Sequence, residues 1–153
     1  DLGISGYETP EQLNGNEALK ARLQKIRLQI GPKMNLGDVD GAAVPKMCMI
    51  SAPSHGGAIN TRTFIPYQCH DAVGVLGAVS VATACILPNS VAQNITQLGE
   101  GNPLQLSVEH PSGEFSVSLA IDYSAELPRV TQAGLLRTAR LLSHGDLYIA
   151  EAC

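Results

Sequence analysis

At 153 residues the chain is long enough for one domain with a substantial core. A net charge of −4 and a pI near 5.5 repel polyanions, which argues against nucleic acid or an anionic membrane surface as partner. Cys48, Cys69, Cys85 and Cys153 show no close metal-ligand spacing, and two lie in apolar runs. They read as reduced thiols of a cytoplasmic protein rather than as disulfides, which makes Asn94-Ile95-Thr96 a chance sequon. The opening DLGISGYETP has neither the basic nor the apolar region of a signal peptide and no initiator Met. The chain is therefore expected to begin inside a longer gene product.

Thr9-Pro10-Glu11 reads as an N-cap with proline at the first helical position, opening a short helix. Asn16–Ile30 predicts a longer one. Leu19, Leu23, Ile26 and Ile30 form its apolar stripe, Lys20, Arg22, Lys25 and Arg27 its solvated face, and Gly31-Pro32 its stop. Residues 35–43 are loop; Asp38-Val39-Asp40-Gly41 resembles the start of a calcium loop but lacks the later ligands, so no metal is expected. Val44–Ala52 predicts a buried strand, Pro53–Gly57 a turn around an exposed His55, and Ala58–Ile65 a strand carrying Arg62.

The stretch from Ala72 to Leu87 carries no charge and is apolar or small on every helical face. Such a helix, over about 71–86 and stopped by Pro88, is expected to be buried on all sides with sheet wrapped around it. Val73, Leu76, Val79 and Ala82 would be buried, and Gly77 would let the sheet approach. Cys69, His70 and Asp71 fall at its expected first turn, where unpaired N–H groups and the dipole favour an anion. Asp71 as a simple cap is the plainer reading. Arg62 could swing over that helix mouth, or point outward as an ordinary surface charge.

Residues 89–102 read as polar connection, with a helical turn within 90–98. Leu104–Glu109 and Glu114–Ile121 alternate about His110-Pro111-Ser112-Gly113, a strong hairpin signal. Val130–Leu142 and Asp146–Ala150 predict further strands. Arg137 and Arg140 alternate poorly; they read as an ion pair on the sheet, or else as site residues. The pattern is α+β, a mainly antiparallel sheet with one amphipathic and one buried helix.

Read together, HDAVGVLGAVSVATACILPNSVAQ, SVEHPSGEFSVSL and LLRTARLLSHGDLYIA resemble the PrpF family of isomerases, and the run ending VPKMCMISAP fits the same family. The likeness runs from Asp1 to about Ala150. It implies the diaminopimelate-epimerase-like fold: two lobes, each a curled antiparallel sheet around a central hydrophobic helix. It implies no cofactor, and a di- or tricarboxylate held between the lobes at the N-termini of both helices. This chain resembles the C-terminal lobe alone, which the resemblance puts over 44–153 behind a linker over 1–43. The family's acid–base lysine and cysteine lie in the other lobe, which would be its partner.

The implied function is half of a tautomerase or isomerase that moves a proton on an unsaturated polycarboxylate such as 4-oxalomesaconate, with methylitaconate or aconitate as alternatives. A non-catalytic binding or oligomerising remnant is the other reading, as is a homodimer in which one copy stands in for the absent lobe. Carried onto this sequence, the resemblance makes Cys69 a candidate acid or base, or else a pocket wall. It makes Arg62, His70, Asp71 and Ala72 a carboxylate clamp. Ser112 and Gly113 would line the cleft through hydroxyl and backbone N–H, or form a plain hairpin turn.

Overall fold

The computed structural model describes residues 1–146 and Tyr148. Helix α1 spans Pro10–Asn14 and starts as its sequence requires: the Thr9 hydroxyl accepts from the Gln12 N–H while the Gln12 side chain accepts from the Thr9 N–H. Helix α2 spans Glu17–Lys33, capped by the Asn16 side chain. Gly31-Pro32 does not stop it. It ends two residues later, where Asn35 turns left-handed (φ 59°), Leu36 N–H bonds to Gly31 O and Asn35 N–H to Pro32 O. Gly31 serves packing instead: a Cβ there would come 2.5 Å from Val39 Cγ2.

Strands β1 (Met47–Ser51), β2 (Ile59–Phe64) and β3 (Cys69–His70) precede helix α3 (Val75–Ile86), and β4 (Leu104–His110), β5 (Gly113–Asp122) and β6 (Arg129–Leu135) follow it. The sheet order is β1-β2-β4-β5-β6, with β3 also on β2. All pairings are antiparallel except β2 with β4. One edge of β2 belongs to β1; the other is shared, β4 taking Ile59 and Asn60 and β3 taking Thr63 and Phe64. The predicted hairpin forms, with His110 opposite Gly113. The last strand ends sooner than expected: residues 136–142 have no regular structure, and the strand expected over Asp146–Ala150 extends outside the described residues.

The sheet carries apolar cores on both faces. On one, Val73 and the α3 residues Ala78, Val81, Ala82 and Cys85 pack against Ile59 and the inward side of β4 and β5. On the other, Leu13, Leu19 and Leu23 meet Met49, Phe64 and Cys69. Residues 1–43, expected as a linker, thus supply half of a core.

Two expectations are overturned. Helix α3 is not buried all round: Val73 and Ala82 are buried and Val79 half-buried, but Leu76 is 81% exposed. Uniform apolarity signals a helix covered everywhere, and the described residues cover only its sheet side. The polar side of α2 is not wholly solvated either. Arg27 is fully buried, its Nη1 donating to the carbonyls of Val39 (3.0 Å), Ala42 (2.9 Å) and Val44, and its Nε to Gln24. Ile26 and Ile30, assigned to the stripe, are each 38% exposed.

Candidate functional site at the mouth of α3

The first turn of α3 begins at Val75, six residues later than Cys69, because Cys69 and His70 are held as strand against Phe64 and Thr63. Gly74 is the N-cap and lends no side-chain hydrogen bond, and no acidic residue sits in the first turn. The mouth therefore presents unpaired backbone N–H groups and the positive end of the helix dipole to whatever approaches.

The β4–β5 turn fixes the segment that leads into this mouth. Ser112 donates twice to the Asp71 carbonyl, from its N–H at 3.0 Å and its hydroxyl at 2.7 Å. His110 Nδ1 stands 3.2 Å from both that carbonyl and Ser112 Oγ. The carbonyl has no proton, and the Ser112 hydroxyl proton is already spent on Asp71. Nδ1 must therefore carry the imidazole proton, which leaves Nε2 with the lone pair in the neutral ring. Gly113 has φ 144°, a backbone conformation that excludes most side chains and lets the turn close on two residues.

Beside this turn lies a cleft of about 400 Å³ lined by His55, Glu109, His110, Ser112 and Gly113 among others. Glu109 is 3% exposed. Its carboxylate accepts the N–H groups of Ser54, His55 and Gly57, each at 2.8 Å, and the Ser54 hydroxyl at 3.2 Å. Burial pushes this carboxyl up, but the donors outweigh it and hold it below the usual carboxylate range. All its acceptor capacity is used on the loop, so it shapes the cleft wall and is no proton acceptor.

The residues singled out from the sequence separate into two groups. Asp71, Ser112 and Gly113 come together at the mouth, with Ala72 and His70 exposed nearby. Arg62 does not join them. Along β2, Asn60, Arg62 and Phe64 face the side of α1: Arg62 Nε donates to Glu8 O (2.8 Å), and Nη1 to Asn60 Oδ1 (2.9 Å) and Thr61 O (2.8 Å). The arginine ties the N-terminal segment to the sheet. Cys69 points the same way, into the cluster with Leu13 and Phe64. Burial pushes its thiol up to about 11, partly offset by the charge of Arg62, so it keeps its proton near neutrality. That environment suits a wall better than an acid–base group.

Three contributors lay outside the sequence reading: Glu109, His110 and Asn14. The Asn14 side-chain amide takes the Cys69 N–H on Oδ1 at 2.6 Å and gives an Nδ2–H to the Cys69 carbonyl at 3.2 Å. It completes the free edge of β3 as a neighbouring strand would. The only signal for His110 was its place in the HPSG turn, which pointed to Ser112 and Gly113 first. Among the described residues, no group of three or more His, Cys, Asp or Glu side chains is placed to hold a metal ion, and no helix is long and apolar enough to cross a membrane.

The structure is an α+β lobe in which α3 packs on one face of a mainly antiparallel sheet. The structure superposes on a crystal structure of methylitaconate-delta-isomerase with a TM-score of 0.73 at 17% identity, over 89% of this chain and 42% of that one, a likeness of fold. The chain belongs to the PrpF family, whose match covers residues 1–150. It is 54% identical over 99% of its length to 4-oxalomesaconate tautomerase of Pseudomonas putida, and 48% identical over 97% to (4E)-oxalomesaconate Delta-isomerase of a Novosphingobium species. At 25% identity it also matches 3-methylitaconate isomerase of Eubacterium barkeri. The chain spans about two-fifths of the length of the first two relatives (41% of each).

Proposed function

We propose that this chain is the carboxylate-holding lobe of an isomerase that shifts a proton on an unsaturated di- or tricarboxylate, with 4-oxalomesaconate the favoured substrate. The observation that carries the proposal is the uncapped N-terminus of α3, with its approach pinned by Ser112 and His110. One substrate carboxylate sits at the helix mouth, bonded by backbone N–H groups beyond Gly74, with His70 and the Ser112–Gly113 turn at its side. The relatives named for oxalomesaconate, more similar to this chain than the methylitaconate enzyme, support the choice of substrate.

Moving a proton beside a carbonyl needs a base over the C–H bond, a stabilised enolate and an acid at the receiving atom. This lobe supplies the electrostatic part. Helix dipole and N–H donors neutralise a carboxylate whose charge would otherwise oppose enolate formation. The proton-transferring lysine and cysteine belong, in this proposal, to a complementary lobe of the same protein, while Cys69 stays in the core on the α1 side of the sheet. No cofactor is needed for such a step. The free thiols of Cys48, Cys69 and Cys85 suit a reducing, cytoplasmic setting.

The test is turnover of 4-oxalomesaconate, methylitaconate and aconitate by the full-length protein that contains this chain. Oxalomesaconate should be converted with the highest kcat/KM. Ser112→Ala, which frees the segment leading into the mouth, should raise KM more than it lowers kcat. Turnover of none of the three acids would overturn the isomerase reading, and a Ser112→Ala enzyme with unchanged KM would remove the mouth of α3 from the binding site.

A further inference from the structure

With Arg62 consumed by the N-terminal segment, the mouth of α3 lacks the fixed positive charge that a polycarboxylate demands. Another arginine stands on the α3 face of the sheet. The guanidinium of Arg137, just after β6, lies over the ring of Phe115 with its central carbon 4.8 Å from the ring centroid. Phe115 is two positions from Gly113 on β5, next to the turn that holds Asp71, and shares the α3 core with Val73, the residue preceding the Gly74 cap. The ring is buried and the guanidinium is exposed on it. Among the described residues Arg137 has no carboxylate within ion-pair distance and makes no hydrogen bond; the ion pair expected on the sheet is not formed.

We infer that Arg137 is the fixed cation of this half-site and pairs with a substrate carboxylate. This rests on the reading of the α3 mouth as a carboxylate site, and names the side chain that gives it charge. A guanidinium stacked on an aromatic face keeps its in-plane N–H groups free, and their fork matches a carboxylate in two parallel hydrogen bonds. The stack also restricts the side chain before ligand arrives, so less freedom is lost on binding. Structural arginines in this chain show the contrast: Arg27 and Arg62 spend Nε and Nη1 on carbonyls and side-chain amides. Arg137 has spent none.

The test uses the full-length protein, with cis-aconitate as a stable tricarboxylate probe read by titration calorimetry, and kcat and KM for oxalomesaconate. Arg137→Ala should weaken aconitate binding by about tenfold or more and raise KM by a similar factor, with kcat changed less. Arg137→Lys should recover only part of this, because an ammonium lacks the fork. Phe115→Leu should fall between wild type and Arg137→Ala, since it removes the stack and keeps the charge. Binding and KM of Arg137→Ala within twofold of wild type would overturn the inference while leaving the isomerase reading intact. If wild type turns over none of the acids, yet Arg137→Ala still loses aconitate, the function proposed above fails and Arg137 stands as a carboxylate ligand. If wild type does not bind aconitate at all, the inference falls.

Discussion

The two faces of the sheet treat their polar groups in opposite ways. Under α1 and α2 the polar side chains turn inward and find partners, with Arg27 Nη2 the exception among the described residues: Arg62 bonds to Glu8, Asn60 and Thr61, Asn60 also holds Gly6, and the Asn14 amide takes both backbone groups of Cys69. At the α3 mouth the donors are held in place and left open. Gly74 caps nothing with a side chain, and Arg137 rests on an aromatic ring with its N–H groups free of partners among the described residues. A buried polar group without a partner is costly, so a face that turns its polar groups inward onto partners is built for stability. A face that orients donors and leaves them unpaired is built to receive a ligand.

Substitutions can break that division. The largest effect falls on the closed face: Arg62→Ala strips three hydrogen bonds from a buried guanidinium and strands their acceptors, and should cost about 2–4 kcal/mol in urea unfolding. If Arg62→Ala instead left stability intact and abolished carboxylate binding, the two faces would have to exchange roles. Gly31→Ala comes next. Although alanine favours helix, its methyl would meet Val39, and overpacking of this kind costs about 1–3 kcal/mol. Adding Val39→Ala should return part of the loss.

Glu109 gives a pH signature to the cleft wall. Its folded pKa lies below that of the unfolded chain, so its contribution to stability is present above the ordinary carboxylate range. That contribution is lost as pH falls through the folded value. Unfolding measured from pH 7 down to pH 3 should show this decline, and Glu109→Gln should flatten it, since an amide sets N–H against the three backbone donors. A variant with the wild-type slope would mean that another carboxylate carries the effect.

How much of this was legible in the sequence follows from where the partners come from. The α1 cap and the β4–β5 hairpin were readable because Thr9, Pro10 and the alternating strands around HPSG act on their immediate neighbours. The family motifs likewise pointed to Asp71, Ser112 and Gly113, which do meet. Arg27 and Arg62 misled because their acceptors are chiefly backbone carbonyls from other segments, and a carbonyl leaves no trace in residue identity. Arg27 was placed on a solvated face, and Arg62 on the wrong side of its strand. Asn14 was invisible for the same reason: its work is to imitate a strand edge. The start of α3 was misplaced because Cys69 and His70 obey their pairing with β2, whereas composition registers only that the region is apolar.

The divided edge of β2 has a consequence for the order in which the molecule assembles. Strands β4, β5 and β6 follow one another along the chain and can zip up locally, as can β1 with β2. These two ribbons pair in register at two positions, Ile59 with Val108 and Asn60 with Glu109, and joining them closes a long loop that contains all of α3. Loop closure is entropically unfavourable until contacts reward it, and non-local pairings of this kind form late. The Glu109 carboxylate, with its bonds to the 54–57 loop, clasps the two ribbons at this join. The cleft beside the α3 mouth therefore takes shape only when the join closes, and any breathing that parts the ribbons opens the cleft before it disturbs either ribbon.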